Sequence, residues 1–148
     1  MGLFDRFLDK PSEKFNETEG FAGLALCAIA ADGKITEDEV VGLSQSLSRM
    51  KLYQGMSNRQ AQEAFGKSFA ILQKKGVGGI KEVVDLSIPA IGPGLKQTAF
   101  AVFADLIMAD GSVEDSEKRL LEDVQSRLAI PDETALKIVE VIGIKNRG

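Results

Sequence analysis

The sequence contains no histidine and a single cysteine, Cys27. Without histidine, the protein has no imidazole for acid–base catalysis or for metal binding. One cysteine cannot form an intrachain disulfide and supplies too few thiolates for a structural zinc site. Any metal would therefore be held by oxygen ligands, which calcium, magnesium and manganese prefer. Cys27 lies in an apolar run, so we expect a buried side chain and not a reactive thiol.

Long hydrophobic runs and a basic charge balance are also missing. No segment reaches the roughly 18 consecutive apolar residues of a membrane span, and the N-terminus does not have the pattern of a signal peptide. Lys and Arg total 18 against 22 Asp and Glu, a net charge of −4. Nucleic-acid binding is not expected, because it requires a basic surface. The sequence predicts a cytoplasmic protein without stable membrane insertion.

The pattern that is present is helical. The chain has 148 residues, of which 44% are hydrophobic, which suits one domain with its own core. Every long segment repeats with a period near 3.6, and none shows strand-like alternation. We predict an all-α, single compact domain of about seven helices over residues 13–148. Residues 1–12 are predicted to form a separate N-terminal amphipathic segment.

Two of the predicted helices are apolar on nearly every face. The first covers residues 13–31 and becomes almost wholly apolar after Gly20, and the second covers residues 95–109. A helix that is apolar all round is usually buried at the centre of a domain. We therefore expect these two helices to pack against each other, surrounded by the amphipathic ones.

Each apolar helix runs into the motif Ala-Asp-Gly-x-(Ile/Val)-x-x-x-Glu. The first copy consists of Ala31, Asp32, Gly33, Ile35 and Glu39, and the second of Ala109, Asp110, Gly111, Val113 and Glu117. The repetition predicts an internal duplication with an acidic turn at equivalent points. Whether the two turns are neighbours depends on whether the apolar helices run parallel or antiparallel, and the sequence leaves both arrangements open.

The motif matches only the second half of a calcium-binding EF-hand loop. With Asp32 at loop position 5, Gly33 falls at position 6 and Glu39 at position 12. Positions 1 and 3 would be alanine, leucine or methionine in the two copies, so they carry no side-chain oxygen. A self-contained EF-hand is therefore excluded.

Two interpretations of the motif remain. In one, it is a helix-to-helix turn in which Thr36 and Glu39 form a capping box. The second copy has Glu114 where Thr or Ser is expected, which weakens this interpretation for Glu117. In the other, Asp32, Glu39, Asp110 and Glu117 are ligands of Ca²⁺ or another divalent cation, with weak affinity of roughly 10⁻⁴–10⁻³ M.

At these residues the chain resembles the TerB family of tellurite-resistance proteins. The resemblance covers about residues 21–128 and is strongest at QTAFAVFADLIMADG, residues 97–111. It implies an internally duplicated all-helical domain in the bacterial cytoplasm, linked to tellurite resistance and stress response. It also implies membrane-bound protein partners, and divalent-cation binding by Asp32 with Glu39 and by Asp110 with Glu117. Tellurite reduction itself is not indicated, because one cysteine provides no redox pair.

The N-terminal segment has a clear apolar face, formed by Leu3, Phe4, Phe7 and Leu8. It has two interpretations: a short helix docked on the domain or on a partner chain, or a weak interfacial anchor. The second would place the protein at the inner face of the membrane as a surface adaptor.

For the whole chain, we predict a non-enzymatic binding or scaffold module, with homo-oligomerisation left open. An enzyme using paired carboxylates is the less favoured alternative, since the sequence has no nucleophile–base pair. Gly76-Val77-Gly78-Gly79 is rich in glycine but lacks the spacing of a phosphate-binding P-loop. We interpret it as a helix boundary.

Overall fold

The computed structural model describes residues 14–33 and 35–147. These residues form seven α-helices and no strand, which confirms the all-α prediction. The helices are α1 Glu17–Ala30, α2 Glu37–Leu47, α3 Asn58–Lys75, α4 Gly79–Ser87, α5 Lys96–Ile107, α6 Asp115–Arg127 and α7 Asp132–Lys145. None of the described helices combines the length and apolar character that a membrane crossing requires. The predictions for residues 1–12 lie outside the described residues.

Helix α1 begins at a capping box formed by Asn16 and Glu19. The Asn16 side chain accepts a hydrogen bond from the Glu19 N–H (2.8 Å), and the Glu19 carboxylate accepts one from the Asn16 N–H (2.9 Å). These bonds satisfy backbone donors that the first helical turn leaves without partners. The predicted start at residue 13 was therefore too early. From Gly20 onward nearly every side chain is buried, which confirms that α1 is a central helix.

Small residues allow α3 and α4 to approach α1 closely. A Cβ atom added at Gly23 would lie 2.3 Å from Ser87 Oγ on α4 and 2.8 Å from Ser68 Oγ on α3. One turn earlier, a Cβ at Gly20 would lie 2.9 Å from the Ser87 carbonyl oxygen. Both serine hydroxyls are buried and have no hydrogen-bond partner among the described residues. This three-helix contact therefore depends on the absence of side chains on α1.

Helix α5 is the second central helix, and it packs against α1 as predicted. Its buried face carries Phe100, Phe103, Ala104 and Ile107. Helices α6 and α7 pack on α5, whereas α2 packs on α3. The amphipathic helices therefore surround the two apolar ones.

Two titratable side chains are buried in this core. The Tyr53 hydroxyl donates a hydrogen bond to the Thr18 carbonyl oxygen (2.9 Å), and its ring stacks on Phe65 with the centroids 6.3 Å apart. The Cys27 thiol faces the Ile80 carbonyl oxygen at 3.7 Å, which confirms the predicted burial. Burial raises the pKa of Cys27 from 9.0 to about 12, and it also raises the pKa of Tyr53.

Candidate cation site at the two Asp-Gly turns

Both copies of the motif form a turn directly after a central helix. Helix α1 ends at Ala30 and is followed by Asp32 and Gly33, and α5 ends at Ile107 before Asp110 and Gly111. Gly33 has a φ of +140° and Gly111 a φ of +82°, a region that residues with a side chain rarely adopt. The glycine in each copy therefore allows the chain to leave the helix and enter the next one.

The two turns meet at one cavity. Asp32, Glu39, Asp110 and Glu117 all line a space of about 250 Å³, together with the last residues of α1 and α5. Because α1 and α5 pack together and their C-terminal ends line the same cavity, the two helices run in the same direction. Of the two arrangements that the sequence left open, the structure has the one in which the turns are neighbours.

The two glutamates also have a structural role. Glu39 Oε1 accepts a hydrogen bond from the Thr36 N–H (2.9 Å), and Glu117 Oε1 accepts one from the Glu114 N–H (3.0 Å). Glu117 therefore acts as a cap although residue 114 is not Thr or Ser, because the donor is a backbone N–H. Glu114 was taken as an argument against a capping role for Glu117. That argument was wrong for the hydrogen bond that the Glu117 carboxylate accepts from the Glu114 N–H. In each glutamate, Oε1 accepts a hydrogen bond from the helix cap, and the same side chain lines the cavity.

The aspartates are less well explained by local structure. Each follows the C-terminal end of a helix, where the partial negative charge of the helix dipole disfavours a carboxylate. Asp110 Oδ1 accepts a hydrogen bond from the Ser112 N–H (3.2 Å), a local turn contact. Among the described residues, which exclude Lys34, none of the four carboxylates at the cavity forms an ion pair. Lys145, at the end of α7, pairs instead with Asp105 (2.9 Å).

Glu117 is the most deeply placed of the four. Its side chain is 3% exposed, whereas Asp32, Glu39 and Asp110 are exposed. A buried carboxylate is costly unless hydrogen bonds or a positive charge compensate for the lost hydration. The N-terminus of α6 supplies part of that compensation through the Glu114 N–H.

The chemistry of this cavity suits a hard divalent cation, but the ligands are not gathered around one point. Carboxylate oxygens and helix-end carbonyls are the groups that Ca²⁺ and Mg²⁺ prefer. In the described part of the chain, no group of three acidic, His or Cys side chains lies close enough to hold a metal ion. Binding would require the carboxylates to move closer together, which reduces affinity.

Comparisons with protein-family models, with curated proteins and with solved structures find no match to this chain. The resemblance to TerB therefore rests on the sequence motif alone.

Sequence patterns did not reveal a larger groove between α4 and α6. It has a volume of about 630 Å³, and its apolar wall includes Val77, Ile80, Val84 and Leu120. The spacing of these residues indicates only that each helix has an apolar side. Which helices leave a gap between them depends on tertiary packing.

Proposed function

We propose that this chain is a non-enzymatic, TerB-like binding module in which the two Asp-Gly turns together bind one divalent cation. As in the TerB family, we propose a role in tellurite resistance or stress response, exercised through protein partners. The two turns would then be the equivalent parts of an internal duplication. The proposal also places the protein in the cytoplasm.

The observation that carries the cation proposal is the position of Asp32 and Asp110. Both carboxylates lie where the preceding helix disfavours them, and both line the same cavity with Glu39 and Glu117. A residue that contradicts its local environment is often kept for a function. A cation bound between the turns would offset the repulsion among the four carboxylates and the negative ends of α1 and α5.

One shared ion suits this geometry better than two separate ions. Each turn alone supplies only one Asp and one Glu, and Oε1 of each glutamate is already engaged by a helix cap. Ca²⁺ takes six to eight oxygen ligands, so a single turn would leave most of them to water. Two turns supply four carboxylates to the same ion. Because the ligands must still move inward, we expect weak binding, in the range of roughly 10⁻⁴–10⁻³ M.

An NMR titration of ¹⁵N-labelled full-length protein with CaCl₂ and with MgCl₂ tests this proposal. We expect the amide signals of Gly33 and Gly111 to shift with the same dissociation constant, because one ion contacts both turns. Replacing Asp110→Asn should weaken the response at Gly33 by about tenfold, the equivalent of about 1.4 kcal/mol. Asp32→Asn should do the same at Gly111.

Asp38→Asn is the matched control, because Asp38 is an exposed acid in the first turn of α2 and does not line the cavity. It should leave both affinities nearly unchanged. An equal loss in the control would indicate a general charge effect. Different dissociation constants at the two glycines would indicate two independent sites, and no shift at millimolar ion would refute cation binding altogether.

A further inference from the structure

The second Asp-Gly turn is contacted by the C-terminal end of α7. Asn146 Nδ2 donates a hydrogen bond to the Met108 carbonyl oxygen (3.2 Å), although the two residues are 38 positions apart in the sequence. Met108 is the C-cap of α5, and only Ala109 separates it from Asp110. The Asn146 side chain therefore reaches the backbone two residues before one of the proposed cation ligands.

The Met108 carbonyl oxygen accepts hydrogen bonds from two donors. The second donor is the Gly111 N–H (3.1 Å), which closes the turn around Asp110. Because a peptide group is planar, fixing this oxygen also fixes the orientation of the peptide group that follows Met108. Within the same turn, Asp110 Oδ1 accepts a hydrogen bond from the Ser112 N–H (3.2 Å). Asn146 thus helps to set the direction in which the chain leaves α5 and carries Asp110 to the cavity.

Asn146 is itself held in place by α7. Its N–H donates a hydrogen bond to the carbonyl oxygen of Ile142 (2.9 Å), and the Ile142 side chain is buried. The preceding residue, Lys145, pairs with Asp105 of α5 (2.9 Å), three residues before Met108. This ion pair is largely exposed and contributes little by itself. Together with the Asn146 hydrogen bond, it joins the C-terminal ends of α5 and α7 at two points.

The first turn has the same backbone hydrogen bond but a different support. The Gly33 N–H donates to the carbonyl oxygen of Ala30 (3.0 Å), which corresponds to Met108 in the repeat. In the described part of the chain, which excludes Lys34, no side chain donates a hydrogen bond to the Ala30 carbonyl oxygen. The two halves of the proposed site therefore differ, because the second turn is tied to a third helix.

We propose that Asn146 is a positioning residue of the two-turn cation site and holds the second turn so that Asp110 lines the cavity. This inference rests on the proposed cation binding, but Asn146 neither belongs to the repeated motif nor lines the cavity. Removing a side chain that orients a metal ligand typically lowers metal affinity by about ten- to hundredfold. Because Asn146 acts through a backbone carbonyl and not on the ligand itself, we expect a smaller loss, of about three- to tenfold.

A CaCl₂ titration of the ¹⁵N-labelled full-length Asn146→Ala variant tests this inference. Before the ion is added, the amide signal of Gly111 should differ from that of the parent, because Gly111 shares its acceptor with Asn146, and the signal of Gly33 should not. During the titration the dissociation constant should rise about three- to tenfold at both glycines. The rise at Gly33 is the decisive measurement, since a purely local loss of structure at the second turn would not reach it. Asn146→Gln retains an amide donor and should restore most of the affinity.

Gln125→Ala is the matched control. It also removes a hydrogen bond from a side-chain amide to a backbone carbonyl, that of Ile130 (3.1 Å), at a turn that does not line the cavity. This variant should keep the parental dissociation constant.

The possible results separate the positioning role from the cation site itself. If the parent binds Ca²⁺ and Asn146→Ala has the parental dissociation constant, the positioning role is overturned and the cation site stands. An equal rise in Gln125→Ala would also overturn it, because the loss would then reflect a general effect on the fold. If Gly33 and Gly111 do not respond to Ca²⁺ in the parent, the cation site is refuted and this inference with it.

Discussion

The free energy of unfolding is expected to fall steeply between pH 9 and pH 12. Cys27 has an ordinary pKa of 9.0, and burial raises it to about 12 in the folded protein. Above pH 9 the unfolded chain therefore loses a proton that the folded chain retains, so rising pH favours unfolding. The expected slope is about 1.4 kcal/mol per pH unit. Over the whole interval the loss from Cys27 is about 4 kcal/mol.

Tyr53 adds to this loss from its ordinary pKa of 10.0 upward, because its folded pKa is also raised by burial. With both groups titrating in the unfolded chain, the slope should roughly double to about 2.7 kcal/mol per pH unit. Domains of this kind are stable by about 5–15 kcal/mol, so the combined loss is a large fraction of the total. Below pH 9 both contributions are fully present.

Urea unfolding followed by far-UV circular dichroism, with reductant present, measures this dependence at pH 8, 9, 10 and 11. Cys27→Ala should remove most of the slope between pH 9 and 10, where Tyr53 contributes little, and Tyr53→Phe should reduce the slope above pH 10. Each variant is compared with its own value at pH 8, which removes the direct cost of the substitution. A Cys27→Ala protein with the parental slope between pH 9 and 10 would contradict the assignment.

The second large effect on the free energy of unfolding is expected from substitutions at the close contact between α1, α3 and α4. Gly20→Ala should lower the free energy of unfolding by about 2–3 kcal/mol, because overpacking a close contact forces backbone to move. The added Cβ would lie 2.8 Å from Ala90 Cβ and 2.9 Å from the Ser87 carbonyl oxygen. Neither atom can rotate away. Gly23→Ala should also destabilise the protein, because Ser87 Oγ at 2.3 Å, Ser68 Oγ at 2.8 Å and Val83 Cγ1 at 3.0 Å would all have to shift.

A second substitution distinguishes the two glycines. Ser87→Ala removes the hydroxyl that obstructs residue 23 but leaves the carbonyl that obstructs residue 20. The cost of Gly23→Ala should therefore fall in the Ser87→Ala background, whereas the cost of Gly20→Ala should remain. Thermal and urea unfolding of the parent, the three single variants and the two double variants gives both coupling energies.

Gly66→Ala on α3 is the matched control, because nothing lies within 4 Å of an added Cβ there. Alanine is a better helix former than glycine by about 1 kcal/mol, so this variant should be slightly more stable than the parent. If Gly20→Ala and Gly23→Ala also stabilised the protein, the close contact would not be the reason that these two positions require glycine.

Much of the helical architecture could be predicted from the sequence, because helical periodicity shows which face of a segment is apolar. The two central helices and the burial of Cys27 followed from such patterns. The beginning of α1 was misplaced, since the Asn16–Glu19 cap determines the helix start more strongly than the periodicity does. Tyr53 was not recognised as a core residue, because its burial results from a distant contact with Thr18.

The candidate site was predictable in its residues but not in its geometry. The repeated motif identified Asp32, Glu39, Asp110 and Glu117, but periodicity carries no information about the relative direction of two packed helices. Only tertiary packing brings the turns to one cavity. The capping role of Glu117 was not predicted for a different reason. Its donor is the backbone N–H of residue 114, which is present whatever side chain that residue carries.

The meeting of the two turns has a consequence for the order of folding. Asp32 and Asp110 are separated by more than half of the chain, and contacts between such distant positions form only after a large loop has closed. The cavity is therefore expected to be complete only in the fully assembled domain. An ion that needs both turns would bind after the folding transition state. It would consequently slow unfolding while leaving the folding rate almost unchanged.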